Sequence, residues 1–273
     1  APNTPRDVIG PLAGSADDLR LIDAIISGEP ERPVPAPADL RLGLPRRYFW
    51  EGADAKVQRA LSHAIEALSD AGATIVETEV QDLEALSEAV SGGLRMESSC
   101  ALGETLAALN PPVAVETLIQ LTHSSTIAET LSTISRRSAA REQIEQALHV
   151  HRPRLQQAFD QALTKAGADA LLVPATPLPA VPMQSAESLT INGREEDFFS
   201  YTRATLPAAN AGLPFLSIPA ARVGLLPVGL GLIGRLGGDA SLLAIGTACE
   251  AVLIGSQAPV SLLTGSGDNA SKP

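Results

Sequence analysis

The sequence predicts an α/β fold: an α/β/α layered domain around a mixed, largely buried sheet. Three observations carry that prediction. Runs such as DALLV (169–173), FLSIPA (215–220) and PVGLGLIG (227–234) are apolar nearly throughout, as strands covered on both faces are. The long segments between them repeat apolar residues at helical spacing. Aromatic residues make up 3% of a chain that is 45% hydrophobic, so Ala, Leu, Ile and Val must build the core, which suits close packing of helix on sheet.

GSADDLRLIDAIISGE (14–29) reads as a helix. Ser15 is its N-cap, Asp17 and Asp18 suit its positive end, and Leu19, Ile22, Ile25 and Ile26 form an apolar stripe. PERPVPAPAD (30–39) is a proline-rich linker, closed to helix and to central strand. LRLGLP (40–45) reads as a strand. GADAKVQRALSHAIEALSDAGA (52–73) comes next as an amphipathic helix on Val57, Ala60, Leu61, Ala64, Ile65 and Leu68, and TIVETEV (74–80) as a second strand. Together they make a βαβ unit with parallel pairing by default.

Residues 82–167 are mostly helical, interrupted at NPP (110–112), at Ser124 and Ser125, and at Pro153. DALLVPATPLPAVP (169–182) is a buried strand running into a proline-punctuated loop. NGR (192–194) is a turn, and EEDFFSYTRATLPAANAG (195–212) is largely helical. FLSIPA and PVGLGLIG are strands separated by ARVGLL. DASLLAIGTACEAVLIG (239–255) is a final helix capped by Asp239 and stopped by Gly255. Residues 1–263 read as a single domain and 264–273 as a disordered polar tail.

A net charge of −11 argues against a nucleic-acid partner, which needs a basic face. The longest apolar stretch, Leu213 to Gly234, is broken by Pro214, Pro219, Arg222 and Pro227 and is not a membrane span. Cys100 and Cys249 sit in apolar helical contexts and read as buried structural thiols in a reducing compartment. APNTPRDVIGPL has neither the basic nor the apolar region of a secretory leader, so the expected location is cytoplasmic.

His63, His123, His149 and His151 have no Cys or acidic partner at metal-ligand spacing, and no metal is expected. Gly229, Gly231, Gly234, Gly237 and Gly238 form neither a GxGxxG opening a helix nor a Gly-Lys-Ser/Thr loop, so no nucleotide or other cofactor is expected. There is no GxSxG, and the three lysines, Lys56, Lys165 and Lys272, lie in no Ser-x-x-Lys pattern. The residues alone offer no nucleophile.

Several segments together resemble the amidase signature family, amide hydrolases with a Ser, cis-Ser and Lys catalytic set. TPRDVIGPLAGSADDLRLIDAI is similar to the family's D-T-x-G-P-(M/I)-A-R-S-x-x-D-x-x-L-L-D segment, and LRLGLPRRYFWEG with AGATIVETEV to its next βαβ unit. DALLVPATPLPA resembles D-x-(L/I)-x-x-P-T-x-P-x-x-A. YTRATLPAANAGLPFLSIPA, LLPVGLGLIG and DASLLAIGTACE resemble T-x-x-x-N-x-x-G-(L/F)-P-x-(L/I)-S-(L/V)-P, G-L-P-V-G-x-Q-(L/I)-x-G and D-x-x-L-L-x-x-(A/G)-x-x-x-E. The matches keep family order from residue 4 to about 254. The RYFWEG and YTR segments resemble the branch acting on arylacetamide-type substrates, such as indoleacetamide or mandelamide hydrolases.

The family's lysine and both serines lie upstream of the first matching segment, so the resemblance assigns no catalytic residue here and implies the C-terminal portion of the fold. Gly229-Leu230-Gly231 lacks the family's common Gln, and Asp7-Val8 stands in place of Asp-Thr. What carries over is the acyl-side wall of a substrate cavity: Thr176, Pro177, Tyr201, Thr205 and Asn210. Read from the residues alone, Asn210 equally satisfies backbone groups near a helix end, and Tyr201 and Thr205, four apart, share a helix face that serves core as well as pocket.

The implied function is hydrolysis of a carboxamide C–N bond through a serine acyl-enzyme, with this chain inactive until the upstream segment is supplied. The implied partners are a small-molecule amide and either an N-terminal amidase segment or a second copy joined through an exposed sheet edge. Two alternatives stay open: a non-catalytic binding or regulatory subunit that keeps half of the fold, and an unrelated small-molecule-binding α/β domain.

Overall fold

Five strands form one sheet in the computed structural model, which describes Val8 and residues 10–136, 141–183, 189–196 and 198–256. The expected tail at 264–273 and the side chain of Cys100 lie outside the described residues. β1 (Arg41–Pro45) runs parallel to both its neighbours, β2 (Thr74–Thr78) and β3 (Ala170–Pro174). β7 (Leu226–Ile233) is antiparallel to β3 and to the edge strand β6 (Phe215–Val223), giving the order β2–β1–β3–β7–β6. The sheet is mixed, as expected.

The helix of the βαβ unit, α2 (Ala55–Asp70), buries Val57, Leu61, Ala64 and Leu68, four of the six positions its periodicity marks. It packs with α9 (Asp239–Ser256) against β6, while α7 (Arg152–Ala166) packs against β1 and β2 together with a second group of helices. The result is the layered α/β/α arrangement, with one hydrophobic cluster running from Leu40 to Leu253.

α1 (Ala16–Ser27) begins where Ser15 Oγ accepts the Asp18 N–H and ends at Gly28 in the left-handed conformation. Its stripe is not all buried. Leu19 packs on the core, but Ile25 and Ile26 are 73% and 74% exposed. The helix rests on α9, which covers only part of the apolar face. Leaving a large aliphatic side chain in water forgoes about 1.5–3 kcal/mol.

The region 82–167 holds α3 (Leu83–Ala107), α4 (Val115–Leu121), α5 (Ser125–Arg136), α6 (Arg141–Gln146) and α7, with breaks at NPP and just before Ser125. Pro153 makes no break. A wide turn over Ala147–His151, closed by the Arg152 N–H on the Ala147 carbonyl, leads straight into α7, and Pro153 falls in the first turn, where a missing N–H is tolerated.

The expected helix at 195–212 is divided. β4 (Leu189–Ile191) and β5 (Arg194–Glu196) form a hairpin whose two turn residues, Asn192 and Gly193, both have positive φ (51° and 79°), the conformation an Asn-Gly pair favours. A short 3-10 turn comes next at Phe198–Thr202, and α8 spans only Thr205–Ala211. Pro207 explains the late start: it lacks an N–H and its ring opposes a helical turn before it. The expected separator ARVGLL is also largely strand. β6 and β7 continue to a tight turn at Gly224 and Leu225.

α9 carries two adjacent residues with different work. Glu250, 7% exposed, accepts the N–H of Ala16 at 2.8 Å and so caps α1 from across the fold. Cys249 is fully buried, and burial pushes its thiol up to about 12. Glu250→Ala is expected to destabilise the protein by about 1.5–3 kcal/mol, the range for a hydrogen bond to a charged group, read from the denaturant midpoint. Cys249 is expected to resist iodoacetamide at pH 8.5 in the folded protein and to react in denaturant, as mapped on its own peptide; equal labelling in both states would contradict the buried, protonated thiol.

Candidate functional site

Where β1 and β3 end, the chain has to leave the sheet, and the segments beyond those two strand ends build the site. The β1–β3 pairing covers only Leu42–Gly43 against Ala170–Leu171. Beyond it, the turn Arg46–Trp50 folds back so that the buried Trp50 indole N–H donates to the Leu172 carbonyl at 3.0 Å. The crevice that opens outside strand ends in α/β sheets is filled here by a side chain.

The loop after β3 is held on three sides. Ala175 N–H donates to the Gly229 carbonyl on β7, and Asp54 N–H donates to the Pro177 carbonyl at 2.8 Å. Thr176 Oγ1 donates to the Leu178 carbonyl at 2.8 Å, and the Tyr201 hydroxyl donates to the Pro179 carbonyl at 3.0 Å. Leu178, Leu189 and Ile191 form a small apolar cluster under this loop, with Tyr201 and Val181 packed on it. Burial holds the Tyr201 phenol above its ordinary value, with a backbone hydrogen bond from Val181 opposing it. Asn192 ties the hairpin to the start of α2: its Oδ1 accepts the Ala55 N–H, and its Nδ2 donates to the Ala53 carbonyl, both at 2.9 Å.

Beside this wall lies an open cleft of about 650 Å³, lined in part by Arg47, Tyr48, Phe49, Leu83, Glu84 and Arg203. The Arg203 guanidinium stacks 4.3 Å from the centre of the Tyr48 ring, and its Nε donates to the Tyr48 carbonyl at 2.9 Å. Gly52 makes room for it, since a Cβ there would collide with Arg203 Nε. Desolvation raises the Tyr48 phenol above its usual value; Arg203 pulls it down, while Glu84 and Glu88 push it up.

The five residues expected in a pocket wall fall into two sets. Thr176, Pro177 and Tyr201 meet through the 175–179 loop. Thr205 and Asn210 belong to α8, beyond the turn at Arg203, so Tyr201 and Thr205 do not share one continuous helix. Thr205 Oγ1 donates to the Thr202 carbonyl at 3.3 Å. Asn210 is fully buried, and its Nδ2 donates to Ser87 O, Ser87 Oγ and Ser91 Oγ on α3, at 2.7–3.1 Å. Its Oδ1 is buried without a hydrogen-bond partner among the described residues. Sequence reasoning missed Trp50, Tyr48, Gly52, Asn192 and Arg203 as site residues. Asn192 had a local signal in its place before a glycine, and the other four lie in the RYFWEG and YTR segments, where the resemblance marked the segment but no single side chain.

Among the described residues no cluster of three His, Cys, Asp or Glu gathers as for a metal ion, and no helix is long and apolar enough to cross a membrane. A crystal structure of an amidase superposes with a TM-score of 0.73 at 27% identity, covering 89% of this chain and 52% of its own. A peptide amidase from Stenotrophomonas maltophilia shares the fold at a TM-score of 0.65 and 21% identity, covering 92% and 54%. The architecture is shared with these amidases over about half of their length. The Amidase family model matches residues 3–243, and the chain belongs to that family. It is 36% identical over 250 residues to the indoleacetamide hydrolase of Rhizobium radiobacter, covering 90% of this chain and 54% of that protein. It is 33% identical over 264 residues to the mandelamide hydrolase of Pseudomonas putida, covering 91% and 50%. The chain thus spans about half the length of the curated relatives it matches.

The Arg203–Tyr48 stack yields a test, because the chain has only two tyrosines. In a Tyr201→Phe background, Gly52→Ala should displace Arg203 and raise the Tyr48 pKa further, since the cation that favours phenolate moves away while burial and the two glutamates remain. Absorbance of tyrosinate against pH reads this out; an unchanged titration would mean the stack does not depend on Gly52.

Proposed function

We propose that this chain forms the acyl-side half of a carboxamide hydrolase that works through a serine acyl-enzyme. The observation that carries the reading is a family match along nearly the whole chain, combined with a span of only about half of its relatives. Both described lysines, Lys56 and Lys165, are exposed at helix ends, and neither lies in the cleft or the loop after β3. The Lys and two Ser of the family's chemistry then come from the rest of the fold.

In this reading Thr176, Pro177 and Tyr201 form the wall against the acyl group of the amide. Thr205 and Asn210 complete it by setting the position of α8, Asn210 through its bonds to Ser87 and Ser91. The relatives named for indoleacetamide and mandelamide point to an arylacetamide-type substrate. An aryl side chain suits a wall whose support is an apolar cluster and a tyrosine ring.

Ammonia release from indole-3-acetamide and from mandelamide tests the reading. The 273-residue chain alone is expected to release none. A joined protein, in which the same chain is preceded by the segment of the Rhizobium radiobacter relative that lies outside the match, is expected to turn over at least one of the two amides. Hydrolysis by the chain alone, or a folded joined protein inert on both amides, would sink it.

A further inference from the structure

We infer that Asn192-Gly193 is a deamidation site held shut by the fold, and that its modification releases the β4–β5 hairpin from α2 in one direction only. The inference is independent of whether the chain completes a carboxamide hydrolase.

Five asparagines occur in the chain, and Asn192 alone precedes a glycine. The chemistry of such a pair is intramolecular. The Gly193 backbone nitrogen attacks Asn192 Cγ and forms a C–N bond, and the side-chain nitrogen leaves as ammonia with the proton that the attacking nitrogen gives up. Water then opens the succinimide. Cleavage of the bond to Cγ gives aspartate; cleavage of the bond to the backbone carbonyl gives isoaspartate, whose main chain runs through Cβ and Cγ. Glycine has no Cβ to hinder the attack. Asn192 and Gly193 are both exposed, and nothing lies within 4 Å of the place a Gly193 Cβ would take, so water reaches the pair.

The folded hairpin blocks the first step twice. The side chain is already engaged with the start of α2, Oδ1 accepting the Ala55 N–H and Nδ2 donating to the Ala53 carbonyl, both at 2.9 Å. One partner can only donate and the other can only accept, so the orientation of the amide is fixed. The backbone is unsuitable as well. A two-residue turn with φ of 51° and 79° at its centres is type I′, in which ψ of the first is about 30°. At that angle the Gly193 nitrogen lies nearly opposite Asn192 Cβ about the Cα–C bond. A five-membered ring through N, C, Cα, Cβ and Cγ needs the two nearly eclipsed. Ring closure therefore waits until both hydrogen bonds break and the turn opens, and its rate reports how often the hairpin leaves α2.

After modification the tie cannot be remade. Aspartate offers two oxygens where the Ala53 carbonyl needs a donor. Isoaspartate adds a main-chain carbon to the turn and puts Ile191 and Arg194 out of register. Leu189 and Ile191 on this hairpin form the cluster under the loop after β3, so the support of Thr176, Pro177 and Tyr201 loosens with it.

The test incubates the 273-residue chain at mildly alkaline pH, folded and in denaturant. The readout is the mass of the tryptic peptide ending at Arg194, in which Asn192 is the only asparagine. Deamidation is expected to run roughly 100-fold faster in denaturant. Ala55→Pro removes the N–H held by Oδ1. It falls on the first residue of α2, where proline suits a helix, and Asp54 before it is already extended at ψ 141°. The folded variant should deamidate faster than the parent by a factor of up to roughly 10. Its melting temperature should shift by no more than about 4 °C. Equal rates in the folded and denatured parent, with its melting transition intact, would overturn the latch, as would a folded Ala55→Pro chain that deamidates no faster. A peptide that gains no mass even in denaturant would remove the site itself. Folded chain carrying the modification, separated by its added negative charge, should exchange its β4–β5 hairpin amides faster than unmodified chain; unchanged exchange would overturn the release.

Discussion

β3 is buried at all five of its residues, so each backbone polar group in it needs a partner inside the protein. The alternation turns Leu171 and Val173 toward β7, and Leu172 and Pro174 toward β1. The β7 side is satisfied by a regular antiparallel ladder. On the other side β1 diverges after Gly43, and the Leu172 carbonyl has to be met by something else. Trp50 meets it with an indole N–H. At the next outward position the residue is Pro174, which has no N–H to satisfy. The strand thus ends where its partner leaves without stranding a donor.

That solution determines what lies beyond the strand ends. Trp50 can reach Leu172 only because the chain after β1 folds back at Arg46–Trp50, and this brings Tyr48, Gly52 and Asp54 to the mouth of the sheet. Asp54 then fixes the loop after β3 through Pro177, and Asn192 fixes the hairpin to the start of α2. Thr176, Pro177 and Tyr201 are therefore held both by hydrogen bonds to backbone carbonyls and by the packing of Tyr201 on Leu178, Leu189 and Ile191. These bonds hold the loop after β3 in one place relative to β7, α2 and the hairpin.

Two surfaces are unfinished in a way the core is not. α1 presents Ile25 and Ile26 to water, and among the described residues β6 has a neighbouring strand on one side only. Both are apolar or adhesive features that soluble domains usually cover.

Periodicity and punctuation alone determined the layers, the order of the long helices and the βαβ unit, and the serial motifs determined the family. Those signals are local, and they survive because burial on both faces leaves apolar strands and an apolar helix stripe leaves its spacing. The sequence also marked Thr176, Pro177 and Tyr201 by resemblance, and the Asn192-Gly193 turn by its left-handed preference. It read α1 as an amphipathic helix without indicating how little of the stripe would be covered, and it read 195–212 as helix where the end of a hairpin, a 3-10 turn and the short α8 follow one another. It was silent on Arg203 over Tyr48, on Trp50 capping β3 and on Glu250 capping α1. Each of those pairs joins residues more than a hundred positions apart. Their chemistry exists only once the sheet has brought two strand ends or two helices together, and no local pattern in one chain records that meeting.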